Sequence, residues 1–205
     1  DLGFYSRAQQ FAYLPVNNVS TAVARVTFPV FSSIQNDKIR LKTGIKKALS
    51  MMALLTFPVM IGLIVIARPL VSILIGEKWL PCVPYLQLLC LVFILYPLHV
   101  INLNVLKSIG RSDLFLKLEI AKKIIAVIAI VVTYRWGITA MIIGQFGTSL
   151  IAYYLNSYYV GKLLDYSILQ QLGDIVIVFI FSCIVGGVAF AVALIQFPND
   201  YILLA

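Results

Sequence analysis

The chain is predicted to be an all-α integral membrane protein: a single bundle over residues 1–205 with six transmembrane helices and the start of a seventh. Three observations predict it. Apolar runs near the length of a bilayer crossing fill almost all of its 205 residues, charge is sparse, and Gly, Pro and Trp mark the joints between runs. Hydrophobic residues make up 61% and charged residues 12%, and mean hydropathy is +0.99, far from the composition of a soluble domain. Crossing about 30 Å of hydrocarbon at about 1.5 Å per residue takes about 20 helical residues. The runs 48–67, 81–106, 136–161 and 175–199 contain no Asp, Glu, Lys or Arg.

Taken in order, the crossings are expected at about 4–34, 48–75, 81–106, 114–134, 136–160 and 175–197. The first includes Arg7 and Arg25 and is interrupted by Pro15 and Pro29, which predicts a kinked helix with one side in water. The second and third are joined by the short hairpin Gly76-Glu77-Lys78-Trp79-Leu80-Pro81, with Trp79 as an interfacial anchor. In the third, Pro97 removes a backbone donor and frees the carbonyl of Phe93. The uncharged part of the fourth is short, so that crossing must include Lys117, Glu119, Lys122 and Lys123; long lysines near a membrane surface snorkel outward. Tyr134-Arg135-Trp136-Gly137 forms a tight turn into the fifth. Both ends are expected to be cut: Asp1-Leu2-Gly3 leads straight into a helix, and 201–205 reads as the opening of a seventh crossing.

Charge sets the expected orientation. Eleven of the 16 basic residues lie in or beside the connections near 35–47, 107–113 and 161–174: Lys38, Arg40, Lys42, Lys46, Lys47, Lys107, Arg111, Lys117, Lys122, Lys123 and Lys162. Arg7, Arg68, Lys78 and Arg135 lie on the other side, with Arg25 between. The positive-inside rule makes those three connections cytoplasmic. The net charge of +8 is then a topology signal, and nucleic acid is not an expected partner.

Enzymatic chemistry has little to build on. His99 is the single histidine, and Cys82, Cys90 and Cys183 give no metal-ligand spacing. Cys82 and Cys90 lie roughly 12 Å apart by helical rise, too far for a disulfide. No catalytic residue, cofactor or metal is expected.

A polar stripe inside the membrane remains. On the first crossing Arg7, Gln10, Asn17, Asn18, Thr21, Arg25 and Ser32 recur at helical steps, with apolar residues between them. Arg25 lies roughly 13 Å along the helix from its Ile34 end, where a lipid-facing charge costs at least about 2.5 kcal/mol. It therefore faces a cavity, a partner helix or an anionic ligand. Arginine fits phosphate, because its planar fork donates paired hydrogen bonds to oxyanions; Arg25, together with Arg7, is expected to hold a diphosphate head. Tyr96, His99 and Asn102 share a face by spacing, as do Gln145, Ser149, Ala152 and Asn156. Each set is open to two readings, helix-joining hydrogen bonds or ligand contact. In Gly110-Arg111-Ser112-Asp113, Gly110 ends one helix and Ser112 or Asp113 caps the next. That segment reads either as a solvated hairpin or as a gate through Arg111 and Asp113.

Several of these stretches carry a resemblance. Leu2-Gly3-Phe4-Tyr5-Ser6-Arg7-Ala8-Gln9-Gln10, Arg25-Val26-Thr27-Phe28-Pro29-Val30-Phe31-Ser32, the Gly-Glu-Lys-Trp hairpin and Asn102-Leu103-Asn104-Val105-Leu106 leading into Gly110-Arg111-Ser112-Asp113 resemble the Wzx-type polysaccharide (O-antigen and colanic acid) exporter-flippases of the multidrug/oligosaccharidyl-lipid/polysaccharide transporter superfamily. The resemblance is densest over 2–120. It implies a MATE-like, two-lobed bundle of 12–14 helices, of which this chain resembles most of the C-terminal lobe. It also implies the cargo, oligosaccharide repeat units on undecaprenyl diphosphate, carried across the bacterial inner membrane for surface polysaccharide or lipopolysaccharide biosynthesis. The bilayer, that cargo and polysaccharide polymerase machinery are the implied partners. A drug exporter of the same superfamily would favour acidic cavity residues, and a non-transport scaffold is the alternative from another class.

Overall fold

In a computed structural model, residues 2–196 are described, and they form helices without a strand among them. The order is α1 (Leu2–Ser33), α2 (Lys38–Ile75), a 3-10 helix (Glu77–Cys82), α3 (Val83–Phe93), α4 (Tyr96–Ser108), α5 (Ser112–Thr133), a 3-10 turn (Tyr134–Trp136), α6 (Gly137–Leu164) and α7 (Ile168–Gln196). The seventh crossing expected at 201–205 lies outside the described residues.

Local chemistry accounts for the joints. Asp37 caps α2, its Oδ1 accepting from the backbone N–H groups of Ile39 at 3.1 Å and Arg40 at 3.0 Å; such a cap is worth about 1 kcal/mol. The helix thus begins at Lys38, ten residues before the start expected from hydropathy, and the basic run Lys38–Lys47 occupies its first turns. Lysine and arginine are good helix formers, so the charges that end the apolar pattern do not end the helix. The third expected crossing is split. Pro97 leaves the Phe93 carbonyl without its donor, and the chain turns at Ile94 and Leu95 before α4 starts. Helix α1, by contrast, runs unbroken through Pro15 and Pro29.

After α4, the backbone N–H of Arg111 donates to the Leu106 carbonyl at 2.9 Å and that of Gly110 to the Lys107 carbonyl at 3.1 Å. Gly110 has φ +78°. This is the paired closure that ends helices on a left-handed residue, where glycine carries no Cβ penalty. The expectation that Ser112 or Asp113 caps α5 is not met: Arg111 occupies the cap position without a side-chain cap bond, and Ser112 and Asp113 lie inside the helix, where the Asp113 carboxylate accepts from Arg111.

Packing centres on α1, α2 and the α3–α4 pair. Helix α1 buries Ala8, Ala12, Val16 and Ser20, four small residues at four-residue steps that let it lie close to its neighbours. Helix α7 runs along α2, where Phe57 meets Phe179 edge-on at 5.6 Å and Gly186 faces Ile61. Helix α6 packs on the other side of α3 and α4, with α5 outermost beside it. Leu118 is the one buried residue of α5.

The outside is apolar. Val127, Ile128, Val131 and Val132 of α5, and Ile177, Ile180, Phe181, Ile184 and Val188 of α7, are all exposed. Helices satisfy their backbone internally, so such faces are stable in hydrocarbon. Three segments, Lys38–Ile75, Glu77–Ser108 and Ile168–Ala191, are long and apolar enough to cross a membrane. The protein is a multi-pass helical membrane protein.

Candidate functional site

The polar residues of α1 lie on the side opposite its small-residue seam. Gln10, Asn18, Thr21 and Arg25 are exposed and Asn17 is half-buried. Arg7 is engaged: its Nη1 donates to Gln10 Oε1 at 3.2 Å, and its guanidinium lies 5.5 Å from the Trp79 ring centre, a cation–π distance. Arg25 has no hydrogen bond or ion pair among the described residues. The two arginines are separated by roughly 27 Å of helical rise. At that separation one diphosphate head cannot touch both arginines.

A cavity of about 620 Å³ opens between the end of α3, α4, α5 and α6. Of the residues expected in a site, Tyr96 and His99 line it; Asn102 does not. Asn102 is fully buried, and its Nδ2 donates to Ser157 Oγ at 3.2 Å and Gln171 Oε1 at 3.3 Å, joining α4 to α6 and α7. Gln171 in turn donates from Nε2 to the Tyr166 carbonyl at 3.2 Å.

His99 is satisfied at both nitrogens. The Asn156 amide donates to Nδ1 at 3.5 Å, and Nε2 lies 3.2 Å from Ser149 Oγ. With Nδ1 accepting, the proton of a neutral ring is on Nε2, which donates to the serine. The helix-joining reading of His99 is thus realised, while one edge of the ring still borders the cavity.

Four charged cavity residues were not expected in a site: Lys107, Lys122, Lys123 and Glu119. Lys107 Nζ lies 4.3 Å from the Phe115 ring centre, and Lys122 is ion-paired with Glu119. The available signal was spacing: Phe115, Glu119, Lys122 and Ala126 follow one another at steps of four, three and four, which is one helix face. Hydropathy registers those lysines as the edge of a crossing and says nothing of the face they share.

At the α4–α5 turn, Arg111 grips Asp113 with two parallel bonds, Nε to Oδ1 at 2.9 Å and Nη2 to Oδ2 at 3.0 Å. The guanidinium holds the Asp113 carboxyl down to about 2. A second polar cluster joins α2 to the α6–α7 corner. Lys46 pairs with Asp174 at 2.6 Å, Tyr166 Oη donates to Asp174 Oδ2 at 2.6 Å, and Lys42 donates to the Asp165 carbonyl. Burial, then the Asp174 contact, pushes the Tyr166 phenol up.

Known proteins share this sequence pattern. Residues 1–84 match a family model described as polysaccharide biosynthesis protein. The chain is 37% identical over 113 residues to the teichuronic acid biosynthesis protein TuaB of Bacillus subtilis, covering 55% of this chain and 23% of that protein. It is 33% identical over 130 residues to the lipopolysaccharide biosynthesis protein WzxC of Escherichia coli, covering 63% of this chain and 26% of that one. The succinoglycan biosynthesis transport protein ExoT of Rhizobium meliloti is 35% identical over 91 residues, 44% of this chain and 18% of that one. These alignments span about a quarter or less of each relative. No solved structure matches. The resemblance to Wzx-type polysaccharide transport proteins, read from motifs over 2–120, is shown by these matches.

Proposed function

We propose that this chain forms most of one lobe of a transporter that moves lipid-linked oligosaccharide repeat units across the bacterial inner membrane for surface polysaccharide or lipopolysaccharide biosynthesis. The observation that carries the reading is Arg25: an exposed, unpaired guanidinium well inside a long helix, in a chain similar to polysaccharide biosynthesis and transport proteins. A charge so placed needs water or an anion, and a diphosphate supplies paired acceptors for its fork.

On this reading α1, α2, α3 with α4, α5, α6 and α7 make six crossings of a MATE-like lobe. The connections near 35–47, 107–113 and 161–174 face the cytoplasm. The exposed face of α1 forms one wall of a central cavity, with Asn18 and Thr21 beside Arg25, and a second lobe forms the other. Rocking of the two lobes exposes the cavity to each side in turn, with no covalent step, and the turn held by Arg111 and Asp113 moves as a unit at the cytoplasmic side. The emerging repeat units pass to polymerase machinery. A cationic drug as cargo is disfavoured because Glu119, an acid bordering a cavity, is already neutralised by Lys122.

Complementation tests the reading. In cells lacking the full-length protein, Arg25→Ala made at normal protein level is expected to abolish surface polysaccharide while lipid-linked repeats accumulate facing the cytoplasm, and Arg25→Lys to restore part of the export. Wild-type export by Arg25→Ala would refute the diphosphate role. Accumulation of single repeats outside the cell would place the defect in polymerisation instead.

A further inference from the structure

The cavity between α4, α5 and α6 is one half of a longer groove. A second cavity of about 350 Å³ lies between the start of α1, α5 and α6, and it shares Ala126, Gln145 and Thr148 with the first. Together they run along one face of α5 from Phe115 to Ile130, roughly 22 Å by helical rise, against about 15 Å for half of a 30 Å hydrocarbon core.

The groove changes character along its length. From Phe115 to about its middle it carries Lys107, Lys122 and Lys123 against the single carboxylate of Glu119, with Ser149 and His99 as neutral polar neighbours. Its far end is walled by Leu2, Ala129, Ile130, Ile138 and Met141. An excess of two positive charges at one end and hydrocarbon at the other matches a molecule with an anionic head and a long apolar chain. A sugar or a free anion would leave the apolar end unfilled, and a neutral lipid would leave the ammoniums without counter-charge.

We propose that this groove binds a phosphate-headed membrane lipid, its head held by Lys107, Lys122 and Lys123 and its chain lying between α5 and α6. The site is separate from Arg25, which lies on the far face of α1. The inference rests on the membrane reading alone, so it stands or falls independently of the transport reading.

The test uses the full-length protein in phosphatidylcholine nanodiscs, with phosphatidylglycerol or farnesyl diphosphate as the probe, and native mass spectrometry to count lipid retained after detergent exchange. The variants are K107Q/K122Q/K123Q, which removes the head contacts; Ala126→Trp, which blocks the shared waist of the groove; and Lys47→Gln, an exposed basic residue of α2 outside the groove and away from Arg25, as a control. Retention of phosphatidylglycerol is expected to fall at least about fivefold in the first two, as for lost contacts of basic residues with an anionic lipid, and to be unchanged in the third. Loss confined to farnesyl diphosphate would support the site and assign it to a polyprenyl lipid. If the lysine variant does not fold, Ala126→Trp alone decides. Unchanged retention of both lipids in Ala126→Trp overturns the proposal. So does inorganic pyrophosphate competing as strongly as either lipid, because the apolar half would then contribute nothing.

Discussion

Among the described glycines, Gly186 leaves the least room for a side chain, and adding one carbon there tests the packing of α7 on α2. A Cβ built on Gly186 comes within 2.3 Å of Ile61 Cγ2, whereas carbon atoms attract best at about 3.5–4.0 Å. Gly186→Ala therefore requires α7 to retreat by over about 1 Å or Ile61 to rotate. Cγ2 sits on a β-branched carbon in mid-helix, where one χ1 rotamer dominates, so rotation is costly. Overpacking of this kind costs about 1–3 kcal/mol. At about 2–4 °C per kcal/mol for a chain of 150–250 residues, the melting temperature in detergent should fall by roughly 2–12 °C. Ile61→Ala removes the offending methyl together with other core contacts and is itself destabilising. The double variant should nevertheless be more stable than the sum of the single changes, because contacting residues couple. A Gly186→Ala protein that melts with the wild type, or strictly additive losses, would refute the close approach.

Three further outcomes follow from the polar contacts. Asn102→Leu strands Ser157 and Gln171, which then lack the Asn102 amide donor; leaving buried partners unpaired costs about 1–3 kcal/mol, read as a lower melting temperature, and Asn102→Asp should not restore it. Asp113 is held at about 2, below its ordinary 3.8, so the Arg111 contact contributes above the ordinary value and is lost as pH falls through about 2. A side-chain carbon NMR titration of Asp113 should show that midpoint and return toward the ordinary value in Arg111→Gln. Tyr166→Phe removes a donor to Asp174 while Lys46 remains; it should lower the melting temperature by less than Asp174→Asn, which loosens both contacts and frees the α6–α7 corner from α2.

How much of this was legible in the sequence can be argued from particular residues. Pro97 and Gly110 act within a few residues of themselves, through a missing N–H and a positive φ, and the helix ends follow from those rules alone. The start of α2 was misplaced because hydropathy stops at the lysines while helix propensity and the Asp37 cap do not. Tyr96, His99 and Asn102 share a face by their three-residue spacing. Each such step nevertheless turns the side chain about 60° around the helix, so the set sweeps about 120° and ends against different neighbours. Two of them reach the cavity and the third ties α4 to α6 and α7.

Composition and periodicity determined that this chain is a helical membrane protein, where most of its turns lie, and that α1 carries a polar stripe with an arginine deep in its span. Those properties depend on each residue and on those within a turn or two of it. The tertiary structure alone decided that Arg7 leans on Trp79 while Arg25 stays open, that Asn102 is a joint, and that three lysines scattered over α4 and α5 border one groove. The physical reason is that a helix presents every direction around its axis, and only the neighbours packed against it determine which of those directions is buried, which is bathed in lipid and which encloses a cavity.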